Sequence, residues 1–293
     1  MKKNISVIGG DLRSLTVASL LSKDDYNTVC YGFDKETENI DVPCCTSLKE
    51  ALNSEVIILP IPVSYDGIFI NAPLFKEKIP ISDIIKGIGS AKLVLAGCVS
   101  VSLQEEFDKE GIICIDYYNR EELKVKNAVP TAEGALEIAL SELPITLKDA
   151  NALVIGYGRI GKILTKMLSS LNCDTTSSAR RYSDLAWAEA SGAKSVHTDK
   201  ISSIIENFDV IFNTVPGLVL DENTLSKTKN DALIIDLASV PGGVDLEAAK
   251  ALNKKVIWAL SLPGKTAPIS AGRIIKDTVL NILTELEEGY CGT

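Results

Sequence analysis

The chain has 293 residues, 46% of them hydrophobic, which is enough for two ordinary domains with cores that need no disulfide or metal staple. Its formal net charge of −9 argues against general nucleic-acid binding, because that function requires a basic surface. His197 is the single histidine, so a multi-histidine metal site is excluded and no metal site is expected.

The amino-terminal segment and the cysteines indicate the compartment. Two lysines and a short apolar run lead directly into Gly9 and Gly10, which is not the pattern of a secretory signal, and no apolar run reaches the ~20 residues that span a bilayer. The seven cysteines are scattered and odd in number, and Cys44 and Cys45 are the only close pair. Because adjacent cysteines are poor disulfide partners, we expect reduced thiols in a cytoplasmic protein that does not enter membranes.

Eleven short apolar runs of strand length alternate with amphipathic segments of helix length. Most of the runs are rich in β-branched residues, as expected for parallel strands covered on both faces. The alternation predicts an α/β fold of two Rossmann-like domains with parallel sheets and an inter-domain crevice. In chain order the predicted strands are 5–8, 28–31, 56–59, 93–95, 112–115, 152–155, 173–177, 195–196, 210–212, 232–235 and 255–258.

The pattern restarts near residue 150, because VIGGDLRSL and VIGYGRIGKIL are both apolar strands that run into a glycine turn. The predicted domains are 1–129, for the substrate or a partner, and 130–268, for a nucleotide. The amphipathic tail, 269–293, could fold back and complete the first domain.

A helix is predicted to connect the two domains. Pro130 suits the first position of a helix and Glu133 suits the positive end of its dipole, and the helix should end before Pro144.

The second glycine turn has the spacing of a dinucleotide-binding loop. Gly156, Gly158 and Gly161 form a G-x-G-x-x-G between a strand and the predicted helix 159–171. The first glycine allows the tight turn, the second lets backbone approach a pyrophosphate, and the third lets helix and strand pack closely. The pyrophosphate is then expected at the helix N-terminus, against the loop that also contains Tyr157, Arg159 and Ile160.

The next strand indicates which dinucleotide binds. An NAD site usually carries an acid about 20 residues after the loop, whereas this strand ends at Ser178, Arg180 and Arg181. Because guanidinium groups bind phosphate oxygens in fork geometry, we expect NADP, with NAD less favoured. Thr214 and Pro216, in the loop after a later strand, should border the nicotinamide, although the prolines and glycines of such loops are also typical of ordinary turns.

The first glycine turn is interpreted differently. It lacks the third glycine, and Asp11 would repel a phosphate, so the turn is either structural or faces the substrate. Arg13 pairs either with a substrate carboxylate or with Asp11 itself.

Two further segments supply candidate substrate contacts. Thr131 and Glu133 would offer a hydroxyl, backbone N–H groups and a carboxylate at the start of the connecting helix. Ser261, Gly264 and Lys265 follow the last strand, where Lys265 is a carboxylate anchor, a general acid/base or an exposed surface lysine.

Four blocks, VIGGDLR, NAVPTAEGAL, VIGYGRIGK and ALSLPGKTAPISAG, occur in this order along the whole chain. Together they resemble the A-subunit family of dipicolinate synthase from endospore-forming bacteria. The resemblance implies oxidation of a dihydrodipicolinate to pyridine-2,6-dicarboxylate. It implies that the partner is a flavoprotein-like B subunit, in the cytoplasm of the mother cell of a sporulating bacterium. It also implies a fold like that of alanine and 2-hydroxy-acid dehydrogenases.

This reaction makes the substrate aromatic, so hydride transfer to NADP⁺ is expected to need positioning more than a strong acid or base. Arg13, Lys265 and the helix end at Thr131 are candidates for the two carboxylates of the substrate, and Glu133 or Asp11 for the proton. Two alternatives are a dehydrogenase of another small 2-hydroxy or amino acid, which the poorly placed His197 disfavours, and a non-catalytic nucleotide-binding subunit. A homo-oligomer is compatible with each interpretation.

Overall fold

A computed structural model describes residues 3–24, 26–34, 41–88 and 92–289 of the chain. Outside these ranges lie Met1, Lys2, Cys291 and the end of the predicted 269–293 segment. The chain divides into two compact units, the first comprising Met1–Lys126 and Ala267–Thr293 and the second Asn127–Thr266. The predicted domain boundaries are 129/130 and 268/269.

Unit 1 has a parallel five-stranded sheet with strand order β2-β1-β3-β4-β5. Its two faces are covered by separate apolar clusters, as expected for a parallel sheet that contains Ile and Val in its strands. The elements are β1 (Asn4–Ile8), α1 (Leu12–Lys23), β2 (Asn27–Tyr31), α2 (Leu48–Ala51), β3 (Val56–Ile58), α3 (Ile81–Gly87), β4 (Leu93–Ala96), α4 (Val101–Lys109), β5 (Ile113–Asp116) and α11 (Pro268–Glu287).

The carboxyl-terminal helix α11 packs on α1. At Gly272 an added Cβ would lie 2.6 Å from the Cβ of Thr16, so only glycine allows the two helices this separation. Arg120 holds the far end of α11 through hydrogen bonds of 2.5 and 2.6 Å to the Glu285 carboxylate. This hydrogen bonding keeps the pKa of Glu285 below its ordinary value. The helix is therefore an integral part of unit 1.

Unit 2 has a parallel six-stranded sheet with strand order β11-β10-β9-β6-β7-β8. Strand order reverses at β6, which pairs with β7 on one side and with β9 on the other. The elements are β6 (Asn151–Ile155), α6 (Arg159–Ser170), β7 (Asp174–Ala179), α7 (Tyr182–Ala190), β8 (Lys194–His197), β9 (Val210–Asn213), α8 (Glu222–Leu225), β10 (Leu233–Asp236), α9 (Leu246–Ala251), β11 (Lys255–Trp258) and α10 (Leu262–Thr266).

Two parallel-sheet α/β units confirm the predicted fold class, and each predicted strand is present with ends shifted by at most two residues. The predicted start of the connecting helix is wrong. Helix α5 spans Glu121–Glu142 without interruption, and Pro130 lies inside it. Proline lacks the N–H that would bond to the carbonyl of Lys126, but the residues before it already form helix and begin with two acids, Glu121 and Glu122, in the first turn.

Because α5 starts earlier than predicted, two candidate residues do not lie at a helix start. Thr131 and Glu133 lie in the middle of α5, so they have no free backbone N–H groups of a helix start to offer an anion. The hydroxyl of Thr131 instead donates a hydrogen bond of 2.8 Å to the carbonyl of Asn127.

Among the residues that the structure describes, no helix is both long and apolar enough to cross a membrane. Within the same residues, no three His, Cys, Asp or Glu side chains are grouped so that they could hold a metal ion.

Candidate functional site

The glycine loop lies at the point where the strand order of unit 2 reverses. Gly156 follows β6 with φ +96°, a left-handed conformation that favours glycine. At Gly161 an added Cβ would lie 2.0 Å from the carbonyl oxygen of Gly156, so no larger residue fits beneath the turn. These two glycines bring the first turn of α6 directly against the end of β6. This is the crevice position at which open α/β sheets bind ligands.

The middle glycine faces open space. Gly158 is the N-cap residue of α6, and its φ of −83° is accessible to any residue. Apart from Gly158 itself and its two chain neighbours, no heavy atom in the described part of the chain lies within 4 Å of the position that its Cβ would take. No side chain caps the helix start within that part either. A helix N-terminus with approachable backbone and no side-chain cap suits an anionic group such as a pyrophosphate.

Thr214 closes the loop from the neighbouring strand β9. Its backbone N–H and its hydroxyl each donate a 2.9 Å hydrogen bond to the carbonyl of Ile155. The hydroxyl oxygen would lie only 2.5 Å from a Cβ at Gly156. Thr214 therefore holds the turn in shape, while Pro216, two residues later, is exposed at the same edge of the sheet.

Three predicted cofactor contacts turn out to have inward-facing side chains. Ser178 is fully buried, and its hydroxyl finds no hydrogen-bond partner among the described residues. Tyr157 packs against Ala179, Leu185 and Ala188, and Ile160 packs on the core under α6. The prediction that Ser178 contacts the cofactor is therefore not supported through its side chain, because alternating strand residues point to opposite faces and this one points into the core.

The two arginines after β7 are placed differently. Arg180 and Arg181 are exposed, and neither guanidinium forms an ion pair with another described residue. Nε2 of His197 lies 3.0 Å from the carbonyl oxygen of Arg180, and Nδ1 accepts a 3.4 Å hydrogen bond from the N–H of Asp199. Nδ1 also lies 3.5 Å from a carboxylate oxygen of Asp199. His197 therefore supports the arginine loop, which remains open to an anionic ligand.

A buried polar network that the sequence analysis missed joins the loops after β9 and β10. Asp236 is 1% exposed and accepts hydrogen bonds from the Asn213 amide (2.8 Å) and from the N–H groups of Ala238 (3.0 Å) and Gly243 (2.9 Å). Asn213 in turn bonds both backbone groups of Val215. The buried carboxylate is thus satisfied by N–H donors, without a cation. Its signal in the sequence is a polar residue ending each of two adjacent apolar strands.

The two candidate substrate blocks of unit 2 meet at one contact. An added Cβ on Gly134 of α5 would lie 2.7 Å from the hydroxyl of Thr266 and 3.2 Å from the Cβ of Leu262 in α10. Glu133 and Lys265 are the neighbours of these contacting residues, and both side chains are exposed. Neither forms an ion pair with a described residue. The predicted loop around Gly264 is in fact the short helix α10, preceded by an exposed Ser261 with φ +61°.

In unit 1 the structure decides between the two alternatives for Arg13. Its backbone N–H and its guanidinium donate to the Asp11 carboxylate at 2.8–3.1 Å, and Nη2 also donates to the carbonyl of Ile61 at 2.6 Å. Arg13 is only 8% exposed, and Asp11 caps α1. The first glycine turn is thus closed by an internal ion pair, and most donors of Arg13 are already in use.

The chain is similar to known proteins in both of its units. The family model described as the N-terminal domain of the dipicolinate synthase A subunit matches residues 4–118, and the model described as shikimate / quinate 5-dehydrogenase matches residues 137–258. The dipicolinate synthase A subunit of Bacillus subtilis (strain 168) is 26% identical over 97% of this chain and 98% of its own length. The predicted resemblance to the dipicolinate synthase A subunits is confirmed.

Solved structures agree with this resemblance. The crystal structure of the dipicolinate synthase A subunit from Bacillus halodurans is 28% identical, with TM-score 0.88 and coverage of 96% of this chain and 97% of that chain. An L-alanine dehydrogenase has TM-score 0.67 over 97% of this chain and 90% of its own. At 12% identity the second likeness concerns the fold alone.

Substitutions at two glycines of the loop can distinguish an effect on dinucleotide binding from an effect on stability. We expect Gly158→Ala to change the unfolding temperature by no more than about 3 °C, because its Cβ enters open space. The same change should raise the dissociation constant of a dinucleotide by roughly tenfold or more, because the methyl group lies where the pyrophosphate would approach. Gly161→Ala should lower both stability and binding. The measurements are circular dichroism melting and titration calorimetry. Unchanged dinucleotide affinity in Gly158→Ala would contradict the assignment.

Proposed function

We propose that the chain is the dehydrogenase subunit of a dipicolinate synthase, transferring a hydride from a dihydrodipicolinate to NADP⁺. The observation that carries the proposal is the approachable Gly158 backbone at the start of α6, in a chain similar over its length to a dipicolinate synthase A subunit. The loop glycines, the uncapped helix start and the exposed arginines fit a dinucleotide with a 2′-phosphate. NAD is the less favoured cofactor, because no acid follows β7 directly.

The reaction balances without further reagents. The dihydropyridine ring loses one hydride and one proton, and the products are dipicolinate, NADPH and H⁺. NADP⁺, when bound, supplies the hydride acceptor. Because the product ring is aromatic, the chain has mainly to orient the substrate, which accords with a sequence whose single histidine supports the arginine loop.

The residues of unit 2 are assigned the following tasks. Lys265, exposed and without an ion pair in the described chain, attracts a substrate carboxylate, and Ser261 and Gly264 contribute a hydroxyl and backbone N–H nearby. Glu133 receives the proton. Thr131 lines the site with its side chain, since its backbone belongs to the helix interior.

Asp11 and Arg13 are assigned a smaller part than the sequence suggested. The carboxylate already accepts four hydrogen bonds from Arg13, which leaves it less free to contact a substrate than the exposed Glu133. Most donors of the Arg13 side chain are likewise bound to Asp11 and to the carbonyl of Ile61.

The partner and setting follow from the resemblance. We propose that a flavoprotein-like B subunit completes the enzyme, and that it works in the cytoplasm of the mother cell of a sporulating bacterium, as a monomer or a homo-oligomer. Dehydrogenation of another small hydroxy or amino acid is less well supported, because His197 is engaged with the carbonyl of Arg180.

The preference for NADP can be tested at the arginine loop. Arg180→Ala should raise the dissociation constant of NADP⁺ by about tenfold or more and leave that of NAD⁺ within about twofold, because only NADP⁺ carries the 2′-phosphate. Arg273→Ala, which removes an exposed arginine of unit 1, is the matched control. An equal loss for both dinucleotides in Arg180→Ala would refute the 2′-phosphate contact.

The reaction itself can be tested with the chain together with its B subunit. Dipicolinate and NADPH should appear in a 1:1 ratio, followed by ultraviolet absorbance and fluorescence. Lys265→Ala should raise the KM for dihydrodipicolinate by roughly tenfold and leave NADP⁺ affinity unchanged, because a charge-assisted bond to the substrate is lost. Lys250→Ala, at another exposed lysine of unit 2, should behave as wild type. Dipicolinate formed without NADPH would overturn the proposed function.

A further inference from the structure

The free edge of strand β2 in unit 1 is paired by a short segment that follows it in the chain. The N–H of Cys30 donates to the carbonyl of Pro43 at 2.8 Å, and the N–H of Cys45 donates to the carbonyl of Cys30 at 2.7 Å. These two bonds flank Cys44 and make it the parallel bridge partner of Cys30. Paired strands lie about 4.8 Å apart, which is within the Cα separation that disulfides span.

The side chains of the bridged residues meet. The Sγ atoms of Cys30 and Cys44 are 2.6 Å apart, and both thiols also approach the carbonyl of the buried Val42. Cys30 is buried and Cys44 is exposed, so one thiol is protected while the other is open to solvent. Cys44 and Cys45 are adjacent in the sequence, but the thiol that Cys44 meets is that of Cys30.

We propose that Cys30 and Cys44 form a reversible disulfide site, oxidised by a low-molecular-weight disulfide of the glutathione class. Nothing in the proposed dehydrogenase reaction uses this site. It lies in unit 1, whereas the glycine loop and the arginines lie in unit 2.

The oxidation proceeds by two exchanges. The exposed Cys44 sulfur attacks one sulfur of the small disulfide, forming a mixed disulfide and releasing one thiol. The Cys30 sulfur then attacks Cys44 Sγ, and its proton leaves with the second released thiol. Two electrons pass from the protein thiols to the reagent, which becomes two thiols. A reduced dithiol reverses both steps.

The environment sets this order of events. Burial, followed by the hydrogen bond to Cys44, raises the pKa of Cys30 well above that of an ordinary thiol, so Cys30 is a poor first nucleophile. Once Cys44 carries the mixed disulfide, the adjacent Cys30 is the sulfur positioned to displace it. The same burial keeps Cys30 from reacting directly with the solvent reagent.

The segment after the cysteines is also held in place. Glu50 accepts hydrogen bonds from the N–H (2.9 Å) and the hydroxyl (3.2 Å) of Thr46, while Ser47 caps α2 through the N–H of Glu50. Ser47 thus caps the helix start, and the Glu50 side chain reaches back to the residue before the cap. Cys44 is therefore anchored to β2 on one side and followed by a capped helix, so the disulfide closes on an existing arrangement.

Cys45 provides a matched control one residue away. Its pKa is raised by burial and then by Glu50 and Cys44, and its backbone makes the bond to Cys30, but its side chain is not bridged to β2. Cys114 and Cys98 are further internal references, because burial raises the pKa of each to about 12.

The test uses the full chain, equilibrated natively with mixtures of oxidised and reduced glutathione. Samples are quenched with acid, alkylated under denaturing conditions and mapped by mass spectrometry. The expected result is the loss of two of the seven thiols, with Cys30 and Cys44 in one cross-linked peptide that dithiothreitol reverses. Cys45→Ser should keep the cross-link, and Cys44→Ser should abolish it while melting like the wild-type chain.

Three outcomes would overturn the proposal. In the first, Cys44 carries glutathione while Cys30 stays fully alkylatable. In the second, the cross-link joins Cys44 to Cys45. In the third, Cys45→Ser and Cys44→Ser lose the cross-link alike.

Discussion

The close approach of α6 to β6 is the constraint on which the rest of the candidate site depends. A Cβ at Gly161 would lie 2.0 Å from the carbonyl oxygen of Gly156, so the helix can start here only if this position carries hydrogen alone. The approach leaves the N-cap, Gly158, on the outside of the turn with open space above it. The same turn therefore provides both the close packing of α6 on β6 and the backbone that a ligand can approach. Both depend on glycine, at Gly161 for the packing and at Gly158 for the approach.

The loops after β9 and β10, on the other side of the strand-order reversal at β6, are held by hydrogen bonds to a buried acid. Asp236 is a buried acid whose side-chain oxygens accept hydrogen bonds from three N–H donors: Oδ1 accepts two and Oδ2 accepts one, from Gly243. Loss of the bond from Gly243 would leave Oδ2 as a buried unsatisfied acceptor, which costs roughly 1–3 kcal/mol. The network thus keeps the loops after β9 and β10 in one arrangement, as a site built from backbone positions requires.

The strands and the dinucleotide loop could be predicted because their signals are local. Runs of Ile and Val mark buried parallel strands, and the glycine spacing marks the turn at β6. The start of α5 was mispredicted because Pro130 suits a first helical turn equally well, and only the helix already formed by 121–129 overrides that preference. Ser178 was assigned to the cofactor because the sequence shows that it lies near the end of a strand. The sequence does not show to which face of the sheet its side chain points, since that depends on the register of the strand.

The contacts that could not be predicted join residues far apart in the chain. Asn213 with Asp236, Gly134 with Thr266, and Cys30 with Cys44 are each brought together by strand pairing or helix packing. For Arg13 the sequence allowed two partners, and burial beside Asp11 and the carbonyl of Ile61 decided between them. Spacing alone identifies such residues as candidates, but only the fold identifies their partners.

A crystal structure of the chain with NADP⁺ bound would show whether unit 2 binds the dinucleotide as proposed. The proposed binding mode has the pyrophosphate against the backbone of Gly158 at the start of α6 and the 2′-phosphate facing Arg180 and Arg181. A dinucleotide bound at the Gly9–Gly10 turn of unit 1, or a 2′-phosphate turned away from both arginines, would contradict it.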